Sequence, residues 1–147
     1  MVEFALVVPL FLLILFGIID FGLALNDYNS VRQGVREGAR EGVVGEFGSA
    51  CTGSGTQRLV CLTEERIGLD HTKTRVKVKL EGAYSDGDQL TVCAQYPISS
   101  TTGMFSSLIG GRVVQSEITM RIEAIDSDAP LTTSAEAPLP GKDWSWC

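Results

Sequence analysis

Polar and apolar positions divide this chain into three unlike stretches. From Phe4 to Leu25 nearly every side chain is apolar, and between Glu3 and Asp20 there is no charge and no strongly polar group. As a helix this run would measure roughly 33 Å, enough to cross a bilayer core. A carboxylate at either end of such a run is costly in lipid, which makes Glu3 and Asp20 functional candidates. Pro9 sits inside the run, where it is expected to kink the helix or loosen its hydrogen bonding. From Asn26 the pattern becomes amphipathic. Val31, Val35 and Ala39 recur every fourth residue, as do Gly34, Gly38 and Gly42, and no proline intervenes before Val44. The spacing predicts one helix running on to about residue 47, ended by Gly45 and Gly48. Each interior glycine costs about 1 kcal/mol relative to alanine. Three on one face predict a close approach by another element, either the chain's own head or a second chain.

The second stretch, 48–125, changes period. Arg58 to Leu69 reads as a short helix after a Gly/Ser-rich loop. Thr74 to Glu81 alternates strictly, with Val76, Val78 and Leu80 on one face and Arg75, Lys77 and Lys79 on the other, as in a half-buried strand. Ser85-Asp86-Gly87-Asp88 is turn chemistry, and Gln89 to Tyr96 alternates again, so the two strands form a hairpin. Cys93 falls with Thr91 and Gln95 on its outer face. Pro97 to Gly111 is a long connection carrying Met104-Phe105-Ser106-Ser107-Leu108-Ile109, apolar enough for a short helical turn at a subunit or membrane-proximal contact and equally compatible with ordinary core. Val113 to Ile125 reads as a third strand. The third stretch, 126–147, is rich in Pro, Ala, Ser and Thr yet closes on Trp144, Trp146 and Cys147. It is expected to fold back on the head, because two tryptophans are rarely left at a free end.

Composition narrows the function classes. A net charge of −6 argues against a nucleic-acid surface. The basic groups Arg32/Arg36/Arg40 and Arg75/Lys77/Lys79 read as solvated faces. Four cysteines without a C-x-x-C pair fit two disulfides in an oxidising compartment better than zinc, with reduced structural thiols as the alternative. Of the three pairings possible, a local Cys51–Cys61 staple with Cys93–Cys147 closing the tail is favoured. His71 is the single histidine and has no sequence-local partner. Gly53-Ser54-Gly55 lacks the Lys-Ser/Thr ending of a phosphate loop, and neither an H-E-x-x-H nor a G-x-S-x-G motif occurs. The expectation is a non-enzyme with no catalytic residue, cofactor, metal or small-molecule substrate. No basic flank precedes the apolar run and no A-x-A-like site follows it, so retention as a helix is expected rather than removal as a signal peptide.

The motifs Val2-Glu3-Phe4-Ala5-Leu6-Val7-Val8-Pro9-Leu10, Gly17-Ile18-Ile19-Asp20-Phe21-Gly22 and Val35-Arg36-Glu37-Gly38-Ala39-Arg40 resemble the TadE-like pilins of tight-adherence (Tad, or Flp-type) pilus systems. The likeness is specific over residues 2 to about 44 and looser in the strands. The acidic, tryptophan-tipped tail and its cysteines depart from the pattern. The resemblance implies a type IV pilin-like α+β architecture, with a long N-terminal helix (1–47) and a small antiparallel three-stranded sheet head (48–125). To these this chain adds the folded-back tail (126–147) expected from its tryptophans and closing cysteine. It also implies a structural subunit held in the bacterial cytoplasmic membrane by a single pass with its head outside, later moved into an extracellular filament. Its partners would be lipid, other pilin subunits met through the N-terminal helix, a platform protein and a prepilin peptidase. A minor pilin or assembly initiator is the favoured role, with a major filament subunit or a single-pass binding or sensor module as alternatives. Glu3 matches the glutamate that neutralises a neighbouring subunit's amine in the wider class. It stands third rather than fifth, which implies that two residues preceding Met1 are absent from this sequence or that cleavage differs. Read from the residues themselves, Pro9, Asp20, Gly34, Gly38 and Gly42 complete the expected assembly set, Asp20 either as an inter-subunit contact or as a mark of the membrane's outer interface.

Overall fold

A computed structural model describes residues 2–47 and 50–147, without the side chains of Val2, Glu3 and Ala5. Helix α1 runs unbroken from Val2 to Val44, 43 residues with Pro9 inside. Gly45, at φ +72°, turns the chain out of it; Gly48 lies outside the described residues. The two halves of α1 live in different surroundings. Val31, Val35, Ala39 and Val43 are buried in the head core, whereas Phe4, Leu6, Leu10, Phe11, Ile14 and Ile18 are exposed. The fourth-residue spacing therefore marks where the helix meets its own head, and its loss marks where that packing ends.

Helix α2 spans Gly55–Ile67, three residues earlier at its start than the apolar spacing suggested. The reason is a capping box. Ser54 Oγ accepts the Gln57 N–H, and Gln57 Oε1 accepts the Ser54 N–H at 3.0 Å. Gly68, left-handed at φ +66°, closes the helix by donating its N–H to Glu64 O. A Cβ on Gly34 would overlap the Ile67 backbone, and one on Gly38 would overlap Thr63. One on Gly42 would lie 2.8 Å from Leu90 and 3.0 Å from Leu59. The glycine face is thus the seat of α2 and of one sheet side chain.

The sheet has four antiparallel strands in the order β3-β2-β1-β4, a correction to the three expected. Strands β1 (Arg75–Glu81) and β2 (Gln89–Pro97) form the anticipated hairpin, with Val78 opposite Val92. A one-turn helix, α3 (Ser106–Ile109), interrupts the connection to β3 (Val113–Arg121). The third strand stops four residues short of its expected end. There the backbone leaves the ladder, and the N–H groups of Glu123 and Ala124 both go to Val43 O at 2.9 and 3.0 Å, satisfying a carbonyl at the end of α1. The extra strand, β4 (Ser134–Ala135), comes from the tail and pairs with Val78 and Lys77 on the free edge of β1. Two residues carry no period from which to read a strand, while an open edge is a strong template for one.

The tail then crosses the outer face of the sheet. Gln95 is fully buried between them: its Nε2 donates to Asp143 O at 2.7 Å and its Oε1 accepts the Leu139 N–H at 3.3 Å. Trp144 Nε1 donates to Glu136 O, and Cys147 is bonded to Cys93. Cys51 and Cys61 are joined across the loop before α2. Lys77, read from the sequence as solvated, has its Nζ 3.5 Å from Trp144 O beneath this strap. Strand β2 is consequently buried on both faces, with Leu90, Val92 and Ala94 toward the helices and Thr91, Cys93 and Gln95 toward the tail side.

Candidate functional site

The site begins with a helix that has no covering for most of its first half. α1 is long and apolar enough to cross a membrane. Below residue 26 the chain's own atoms cover only a small patch, centred on Asp20, which is 1% exposed. A carboxylate at that depth of an apolar run needs donors, and the head supplies four. Thr101 N–H and Thr102 N–H each donate to Asp20 Oδ1 at 3.0 Å. Ser100 Oγ and Thr102 Oγ1 each donate to Oδ2 at 2.6 Å. Each oxygen thus receives one pair of bonds, all of them charge-assisted. Ser100 Oγ also accepts the Gly103 N–H at 2.9 Å, which holds the loop in the curl that aims its donors at the helix.

Beside this cap the same loop makes an apolar contact with α1. Phe105 lies tilted against Phe21, with ring centroids 5.9 Å apart, and it reaches down to Gly17, where an added Cβ would stand 3.4 Å from the ring. Above the apolar run, Arg32 lies 5.4 Å over the Tyr28 ring, with an Nη1 to Oη hydrogen bond of 3.4 Å. An exposed tyrosine next to an arginine one turn beyond an apolar span is what a membrane–water boundary selects. Farther along, Glu41 takes a 2.6 Å hydrogen bond from Arg66 on α2, and Glu37 pairs with Arg40 at 3.0 Å. The Arg40 hydrogen bond draws the Glu37 carboxyl below its usual range.

Two clefts on the head are shallow. The one between α2 and β4, about 230 Å³, is lined by Thr56, Glu64 and Glu136 among others. Burial raises the Glu64 carboxyl, and Glu136 pushes it the same way. Thr56 is committed to Thr132, and Glu136 accepts the Val76 N–H at 2.7 Å. Sulfur atoms of Cys51 and Cys61 lie close to Glu65, but they are bonded to each other rather than free to ligate a metal.

The expected assembly residues are therefore dispersed along one helix. Pro9 lies in its exposed part, while Asp20, Gly34, Gly38 and Gly42 all meet the chain's own head. The side chain of Glu3 lies outside the described residues. Sequence reasoning missed the Asp20 cap altogether. Its only trace is the hydroxyl run Ser99-Ser100-Thr101-Thr102 after a strand, and nothing local reveals a partner eighty positions away.

A long helix, apolar enough in its first half to cross a membrane and embedded in a small α+β head by its second, defines the architectural class. Within it, the family model described as TadE-like protein matches residues 1–40, supporting a TadE-like protein of a Tad pilus system. No curated protein and no solved structure gives a significant match to the chain.

Proposed function

We propose that this chain is a structural subunit of a Tad-type pilus, held in the cytoplasmic membrane by the first half of α1 with its head on the outer side. It is then assembled through that same helix. The observation that carries the reading is the division of α1. Its first half, which lies within the TadE-like match over residues 1–40, presents an apolar surface that its own chain covers only around Asp20, while the second half is locked into the head. Such a surface suits lipid before assembly and neighbouring helices afterwards. Pro9 in its exposed part suits a segment that changes surroundings, since a helix lacking one hydrogen bond deforms more easily there.

The role favoured within this class is a minor subunit or assembly initiator, a reading that rests on the TadE-like match. Glu3 is the residue to which we assign subunit register. An ammonium from another chain offsets the cost of holding its carboxylate in an apolar layer and fixes how far one helix slides along the next. Glu3→Ala should leave the protein in the membrane fraction while sharply reducing its recovery with partner pilins and the number of filaments on the cell. Unchanged piliation and unchanged co-purification would refute the assignment. Quantifying the protein in sheared filaments separates the two pilin roles: a minor subunit is present at a small fraction of the main pilin, a shaft subunit at parity. A protein that never leaves the membrane would instead be a single-pass binding or sensor module.

A further inference from the structure

The loop between β2 and β3 is joined to α1 at a level where the helix is still apolar. Phe105 lies beside Gly17, where an added Cβ would stand 3.4 Å from its ring, nine positions below Asn26, the first residue of the polar continuation. At 1.5 Å per residue that is roughly 13 Å beneath the end of the apolar run. Asp20, bonded to Ser100, Thr101 and Thr102, is roughly 9 Å beneath it by the same rise. If the span were instead taken to end at Asp20, Phe105 would still reach a turn below that end. The head is therefore tethered so that residues 100–105 cannot stand clear of the layer occupied by the helix.

The composition of the loop agrees. From Ile98 to Gly111 it carries no charged side chain of its own, and the next charge along the chain is Arg112. The hydroxyls of Ser100 and Thr102 turn inward to the Asp20 carboxylate, while Thr101, Ser106 and Ser107 are exposed. Ile109 is buried, but two apolar side chains turn outward: Met104 is 52% exposed and Leu108 58% exposed, on a molecule whose other large exposed apolar side chains, among the described residues, lie almost entirely on the membrane-type half of α1. This patch is continuous with that half through the Phe105–Phe21 contact. Arg112 donates its Nε to Leu108 O at 3.0 Å, holding a cation at the base of the patch, where anionic phospholipid headgroups would lie.

We infer that residues 103–109 form a second, shallow membrane contact: the loop enters the outer leaflet beside α1, its hydroxyls capping Asp20 while Met104, Phe105 and Leu108 lie among lipid. The arrangement resolves two oddities together. An acid inside an apolar span gains its donors without water, and an apolar loop on a small head gains a solvent that suits it. The inference rests on the reading that α1 spans the membrane, and the test keeps the two apart.

The full chain, its four native cysteines left paired, is labelled with an environment-sensitive fluorophore at one new cysteine: Leu108→Cys, Leu13→Cys on α1, or Asp86→Cys at the tip of the β1–β2 hairpin. Each is reconstituted at low protein-to-lipid ratio in vesicles of phosphatidylcholine and phosphatidylglycerol. Nitroxide on the lipid acyl chains should quench position 108 several-fold more strongly than position 86, and aqueous iodide should show the reverse order. If position 13 escapes the lipid quencher, the membrane reading of α1 fails and the loop contact fails with it. If position 13 is quenched by lipid but position 108 is as open to iodide as position 86, the loop contact alone is overturned. Protection of position 108 from both quenchers also overturns it, and protection that grows with protein-to-lipid ratio identifies a second copy as the cover.

Discussion

Asp20 shows how one side chain decides what two distant parts of the chain do. Two backbone N–H groups and two hydroxyls converge on it from a loop whose other contact with the helix at that level is the Phe105–Phe21 ring pair. Removing the carboxylate strands the Thr101 and Thr102 N–H groups in a dry site. Asp20→Ala should therefore cost roughly 1.5–3 kcal/mol, the scale of hydrogen bonds to a charged group. Denaturant unfolding in detergent micelles would measure it. Protease cleavage after residues 98–112 should rise in the same variant, and an unchanged midpoint with an unchanged cleavage pattern would mean that the cap holds nothing. The same residue marks a limit of sequence reading. Its position in the apolar run made it conspicuous, but its partners are hydroxyls in a stretch that reads as an ordinary connection.

At the level of elements, the glycine repeat on α1 was visible as a demand for close packing, and the sequence left open whether the demand came from within the chain or from another copy. α2 meets it, with Ile67 over Gly34 and Thr63 over Gly38. Thr63 can approach because its hydroxyl is turned back to Leu59 O at 2.7 Å, leaving no unpaired donor in the contact. The sign of a substitution should therefore depend on position. Gly34→Ala would force the Ile67 backbone away and should destabilise the head by about 1–3 kcal/mol, as overpacking does. Gly22→Ala has nothing within 4 Å of its new methyl and should stabilise the helix by about 0.5–1 kcal/mol. Thermal unfolding of the two variants side by side checks this, and equal shifts of the same sign would contradict it. The start of α2 was legible in principle, since Ser54 and Gln57 stand at capping-box spacing; the apolar positions that drew attention began later.

For the whole molecule, the tail does the work that a larger core would otherwise do. It adds β4 to an open edge, covers the outer face of β2 and ends in a disulfide whose partner is 54 residues away. On the chain-entropy account a loop of that length stabilises by about 4 kcal/mol, against about 3 kcal/mol for the ten-residue Cys51–Cys61 loop. Cys147→Ser should therefore lower the melting temperature more than Cys51→Ser paired with Cys61→Ser, and should make the 126–147 segment the first site of proteolysis. Equal melting temperatures for both variants would argue that the outer face holds without its closure. The strands, the hairpin and the return of the tail followed from period-two alternation and from paired tryptophans beside a cysteine. The edge pairing of Ser134 and Ala135 did not, because it depends on where the neighbouring strand leaves its hydrogen bonds open rather than on any pattern of its own.

The unbroken α1 has a mechanical consequence. At 43 residues it is about 65 Å of continuous rod, and its one proline, Pro9, lies near the apolar end, far from the core of the head. The head grips that rod at two heights, through Val31 to Val43 and through the loop on Asp20. Two grips on one shaft remove the freedom to swivel. A twist or a lift applied to the shaft beyond Pro9 reaches the sheet with little loss, and whatever turns that part of the helix turns the head with it.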